Sequence, residues 1–213
     1  MEMESLDVTK LRSNEEGYVY WYLEELYKRG FIDLIEYESE SFALGEDYYG
    51  TRLKEQKSKV KEENFRLVAE RAYTYDFKIR WTEKARNVFF RNVFALADPD
   101  VYFISNLRED NREYSYLEVK GTFDINSKIT EVRIKIDWVW YQHKKYVQLT
   151  QPIPKVSGLQ NKVSPLSALF YATFVPLRYF YTDKSGAKRK IGFATRTLDE
   201  YLEHCRLLER KYI

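Results

Sequence analysis

The chain has 213 residues, 44% of them hydrophobic and 17% aromatic, enough to build one substantial core. A single cysteine, Cys205, excludes an internal disulfide framework and a cysteine-rich zinc site, and with only His143 and His204 besides, any metal would have to use oxygen ligands. Net charge is only +2, yet residues 1–63 hold 9 basic and 16 acidic side chains against 13 and 5 over residues 144–213, a basic C-terminal third that suits a polyanionic partner. No apolar run approaches the length of a membrane span, and the acidic opening MEMESLDVTKLRSNEE lacks the apolar stretch of a signal peptide. A cytoplasmic protein with no membrane partner is expected.

The first predicted element is a helix in SNEEGYVYWYLEELYKRG, with Ser13 as N-cap, Glu16 three residues on as in a capping box, and Gly30 as the stop. Its inner stripe would be Glu16, Val19, Tyr20, Leu23 and Leu26, which puts an acid in line with the apolar face. The capping box alone would account for that glutamate. Short apolar pieces in FIDLIEYESESFALG suggest extended structure, and the Lys/Glu-rich TRLKEQKSKVKEEN reads as a solvated helix or loop. FRLVAERAYTYDFKIRW offers two extended pieces, the second with Tyr75, Phe77 and Ile79 on one face and Asp76 and Lys78 on the other. Further strand is expected in residues 82–113.

In YLEVKG, alternation places Glu118 and Lys120 on one strand face and Leu117 and Val119 on the other. A same-face ion pair on a surface strand would explain the hexapeptide without any chemistry. KITEVRIKIDWVWYQHKKY fits a helix through Ile129, Val132, Ile136, Val139 and Trp140, followed by a strand in YVQLTQPIP. Four of the five prolines lie between 152 and 176, which suggests a core over residues 1–155 and a smaller C-terminal piece over 156–213. That piece reads as a β-hairpin turning at Ser185-Gly186, then a capped helix from Thr197.

Glu16 on a leading helix, Asp76 in YTYDF and Glu118-Val119-Lys120 in YLEVKG, in this order, resemble the PD-(D/E)xK nuclease superfamily, closest in flavour to phage-encoded endonucleases and Holliday junction resolvases. Tyr75 stands where the motif's proline would be, and the interval from Asp76 to Glu118 is longer than a simple hairpin. The resemblance implies an α/β (α+β) fold, a restriction-endonuclease-like α-β-β-β-α-β core with a mixed sheet plus a small C-terminal hairpin-helix appendage, in the cytoplasm of a bacterial host if the chain is phage-encoded. It implies a Mg²⁺- or Mn²⁺-dependent endodeoxyribonuclease in which Glu16, Asp76, Glu118 and Lys120 are catalytic. The metal would be held by Asp76, Glu118 and the carbonyl of Val119.

Such chemistry needs these residue types. Phosphodiester hydrolysis needs hard oxygen ligands for a divalent cation, an oriented water, and positive charge beside the phosphate. DNA is the expected partner, with a homodimer as one arrangement for engaging it. Lys184, Lys188, Arg189 and Lys190 around the Ser185-Gly186 turn are the expected phosphate contacts. Two alternatives stand beside this reading: a catalytically silent DNA-binding or assembly module, and a transposon-end or restriction-type nuclease on the same fold.

Overall fold

The computed structural model describes residues 8–57, 59–94, 101–121, 128–153, 168–181 and 187–209. Helix α1 (Asn14–Lys28) starts where expected: Ser13 Oγ accepts from the Glu16 backbone N–H, and the buried stripe includes Glu16, Val19, Tyr20, Leu23 and Leu26. It ends in a Schellman motif, the Gly30 N–H donating to Tyr27 O and the Phe31 N–H to Leu26 O, with Gly30 at φ 72°. The positive φ is why a glycine stands there.

Strands β1 (Ile32–Tyr37), β2 (Ser41–Gly45), β3 (Tyr48–Gln56), β4 (Lys59–Val68), β5 (Arg71–Thr74) and β6 (Phe77–Trp81) follow. Then come β7 (Phe90–Asn92), β8 (Phe103–Leu107), β9 (Glu113–Val119), helix α2 (Lys128–His143) and β10 (Val147–Thr150). The protein is α+β with a mixed central sheet. Its strand order is β1-β6-β9-β8-β7, with β10 also on β9; β7–β8 and β9–β10 are parallel, and the other pairs are antiparallel. One edge of β9 is shared, β8 covering Glu113 and Tyr114 and β10 covering Tyr116 to Val119.

The sheet has a core on each face. On one side Phe77, Ile79, Trp81, Leu117 and Val119 pack against Val19, Leu23 and Leu26 of α1. On the other, Tyr75 and Tyr116 join Val139 and Ile136 of α2 and Leu44 and Tyr73 of the β2–β5 pair. Tyr75 therefore does not share the face of Phe77 and Ile79 as the alternation suggested. The chain bends at Tyr75 and Asp76, between β5 and β6, and the bend resets the alternation.

The charge run expected as helix or loop is instead strand: β3 and β4 form a long antiparallel hairpin. It rises from the β2–β5 pair, which docks on α2 through Gln142 Nε2 donating to Leu44 O and a His143–Ala43 O hydrogen bond.

The C-terminal part also departs from expectation. Residues 154–167, where the boundary was expected, and 182–186, with the expected turn, lie outside the described residues. Beyond the first gap come one helical turn, α3 (Leu169–Ala172), and a 3₁₀ turn (Leu177–Phe180) rather than a strand. An isolated Tyr181–Lys188 bridge is the described trace of antiparallel pairing. Leu169, Phe170, Phe174, Val175 and Tyr179, with Leu198 and Tyr201 of the terminal helix α4 (Leu198–Glu209), sit in the same core cluster as α1. The expected cap of α4 is present: Glu200 N–H donates to Thr197 Oγ1, and Glu200 Oε2 accepts from the Thr197 N–H.

Candidate functional site

The ends of several elements meet at one side of the sheet. Asp76 stands at the mouth of β6, its N–H donating to Leu117 O of β9 and its C=O accepting from the Glu38 N–H just beyond β1. These two bonds fix its backbone between neighbouring strands. Its carboxylate Oδ2 accepts from the Val119 N–H at 2.6 Å. Val119 was expected to offer its carbonyl; what the structure shows is its N–H holding Asp76.

Glu118, 5% exposed, lies on the α2 face of β9. One of its oxygens accepts from Tyr73 Oη–H at 2.6 Å and the other pairs with Lys120 Nζ at 2.6 Å. The strand alternation thus does set Glu118 and Lys120 side by side, though in a largely buried place rather than on an open surface. Lys120 itself is tied to β10 by its N–H on Thr150 O, and Gln151 Nε2 holds Gly121 O at 3.2 Å. The backbone leaving β9 is therefore pinned on both sides of the lysine.

Electrostatics single out Asp76. Burial, then the charge of Glu118, push its carboxyl up to about 7, against the pull of the Val119 N–H and Lys120, with Glu16 adding a smaller upward push. Burial and Glu118 likewise keep the Tyr73 hydroxyl protonated, far above the usual tyrosine range, so it remains a donor to Glu118. A carboxyl raised by burial and by a neighbouring carboxylate, as Asp76 is, stands where an added cation would be stabilising.

Hard oxygen donors of this kind fit a hard divalent cation. Among the described residues no three of His, Cys, Asp and Glu gather as a metal-holding group, so a cation between Asp76 and Glu118 would draw its remaining ligands from backbone oxygen and water.

Glu16 is engaged elsewhere. Its Oε2 accepts from the Arg12 N–H at 2.8 Å and from Tyr37 Oη–H at 2.7 Å, and its Oε1 from Ser13 Oγ–H at 3.0 Å. Those bonds cap α1 and tie it to the end of β1. Of the expected phosphate contacts, Lys184 lies outside the described residues, while Lys188 and Lys190 are exposed. Arg189 is turned inward rather than splayed: its guanidinium lies 4.4 Å from the centre of the Tyr179 ring and donates to Tyr18 Oη.

Tyr73 and Tyr37 were not singled out from sequence. The available signal was that a tyrosine on a buried strand face needs a partner for its hydroxyl, and each stands near an acid in the same extended pieces. Compared with family models, with curated proteins and with solved structures, the chain matches none.

Proposed function

We propose that this chain is a divalent-metal-dependent DNA endonuclease that hydrolyses phosphodiester bonds, with branched DNA the first substrate class to test. The observation that carries the reading is the joint placement of Asp76, Glu118 and Lys120. The buried carboxylate of Glu118 raises the proton affinity of the partly buried Asp76, and a lysine is salt-bridged to Glu118 at 2.6 Å. The order α1, β1, β6, β9, α2, β10, with β9 and β10 parallel, supports the reading, because the resemblance implies an α-β-β-β-α-β unit.

Asp76 and Glu118 would hold the cation, oriented by the Val119 N–H and the Tyr73 hydroxyl respectively. A bound Mg²⁺ or Mn²⁺ supplies Lewis acidity and lowers the pKa of water. Lys120 contributes a fixed positive charge beside the scissile phosphate, where it orients the attacking water and offsets charge growing on the phosphate oxygens. Its pinned backbone keeps the amine within reach of Glu118.

The test incubates linear duplex, nicked plasmid, single strand and four-way junction with Mg²⁺, Mn²⁺ or EDTA. The expected result is metal-dependent cleavage that is abolished in Asp76→Ala, Glu118→Ala and Lys120→Ala while DNA binding persists. Cutting by all three variants at the wild-type rate would sink the assignment. A second reading, a silent DNA-binding module, draws on the lack of a third grouped carboxylate among the described residues. It predicts binding without cleavage under every metal condition.

A further inference from the structure

We propose that the β3–β4 hairpin is an arm that grips the phosphate backbone of duplex nucleic acid next to the Asp76–Glu118–Lys120 site. This rests on the reading of the partner as nucleic acid and does not depend on cleavage. Two strands of nine and ten residues project about 30 Å at a rise near 3.4 Å per residue. The arm is built almost wholly of exposed positions, with Tyr49, Leu53, Val60 and Leu67 all more than half exposed. An isolated two-stranded hairpin is marginal in water, so an arm this long and this exposed calls for a partner.

Its register gathers cations on one face. Arg52 is opposite Glu63 and Lys54 opposite Lys61, and with Lys59, two residues before Lys61 on β4, these share one face. That face presents Arg52, Lys54, Lys59 and Lys61 against the single acid Glu63. The reverse face pairs Leu53 with Glu62 and Glu55 with Val60, and its cation is Arg66, opposite Tyr49. Like charges directly opposite each other destabilise a strand pair, so Lys54 against Lys61 is a cost that a polyanion would remove. Arg52 and Lys54 already share Glu63, and Arg52 lies over the Phe65 ring at 5.1 Å, which holds this face in shape.

The arm is joined at its base to the site. At its base Asp47 accepts from the Glu70 N–H at 2.8 Å and pairs with Arg66, and β2 pairs with β5 directly below. β5 then carries Tyr73, whose hydroxyl holds Glu118, and Asp76 follows two residues beyond the strand. The base of the arm is thereby linked by a short, paired segment to the two carboxylates.

The experiment is binding of a labelled duplex to the full chain in EDTA over a range of KCl concentrations, comparing wild type with Lys54→Ser/Lys59→Ser/Lys61→Ser. Every phosphate that a lysine no longer neutralises lowers the slope of log affinity against log salt by about 0.9, so the slope of the triple variant should fall by about 2.7. Its thermal melt should not fall, because the three side chains are exposed and Lys54 no longer faces Lys61. A second variant, with residues 48–68 replaced by a short turn joining the paired β2 and β5, should fold and show at least the same fall in slope. An unchanged slope in both variants overturns the arm's role even if the wild type binds and cuts DNA. An unchanged slope together with a shift from dimer to monomer in sedimentation overturns it in favour of an interface between two copies. A wild type that binds no nucleic acid overturns both this inference and the nuclease reading, whereas binding without cleavage leaves the arm standing and removes the nuclease alone.

Discussion

Asp76 carries the most telling single-residue consequence. Its carboxyl is pushed up to about 7, first by burial and then by Glu118, whereas an unfolded aspartate titrates near 3.9. Between about pH 4 and pH 7 the folded chain keeps a proton that the unfolded chain has released, so stability falls as pH rises, by up to about 1.4 kcal/mol per pH unit. Above that window the full cost remains. Asp76→Asn removes the titration while its amide oxygen can still accept from the Val119 N–H. In metal-free buffer the variant should gain on the wild type in Tm from pH 5 to pH 8, and added Mg²⁺ should narrow the gap at pH 8. A Tm difference independent of pH would mean that Asp76 ionises normally. Glu16 calls for the opposite expectation. Both its oxygens are taken by Arg12, Ser13 and Tyr37, so Glu16→Ala should cost about 1–2 kcal/mol in urea unfolding through the missing cap and the stranded donors. Cleavage per folded molecule should survive. Loss of cutting in a fully folded Glu16→Gln would return Glu16 to the catalytic group.

At the scale of elements, what was legible in the sequence was whatever left a period or a cap. Helix α1 announced itself by Ser13, Glu16 and the buried stripe to Leu26, α2 by Val132, Ile136 and Val139, and α4 by the Thr197–Glu200 cap. Glu118 and Lys120 were found because a two-residue spacing on a strand fixes one face. The β3–β4 hairpin was missed because both of its faces meet water, so no apolar period marks it. Its pairing rests instead on cross-strand pairs such as Arg52 with Glu63. Nor could sequence show that β8 and β10 divide one edge of β9 and leave a gap between them. Two buried amides close that gap by imitating peptide groups. Asn106 donates to Tyr146 O and accepts from Tyr146 N–H, while Gln148 donates to Tyr102 O and accepts from Ile104 N–H. Asn106→Ala strands both polar groups of Tyr146, and urea unfolding should show a loss of about 1–3 kcal/mol. No change would mean that water replaces the amide and that the splayed edge tolerates solvent.

The whole molecule turns on whether residues beyond 167 are an attachment or part of the body. Composition pointed to an attachment, since prolines cluster before them and basic residues within them. The packing points the other way. Tyr22 of α1 stacks on Phe174 at 4.2 Å between ring centres, the Val175 N–H donates to Arg196 O, and Tyr201 Oη–H donates to Val88 O. Leu177 N–H also bonds Glu25 of α1. Leu169, Phe170, Phe174, Val175, Tyr179, Leu198 and Tyr201 are each under a tenth exposed. Burying a large apolar side chain contributes roughly 1.5–3 kcal/mol, so removing these seven forfeits upwards of about 10 kcal/mol. That is the size of a domain's entire stability, about 5–15 kcal/mol. A fragment of residues 1–153 should therefore fail to fold even though it holds every strand of the central sheet and the Asp76–Glu118–Lys120 site. Its near-UV circular dichroism should be flat and its thermal melt uncooperative, beside a sharp transition for the full chain. A fragment that melts sharply within a few degrees of the full chain would show that α1 covers its face of the sheet unaided, and would make the C-terminal piece a removable attachment after all.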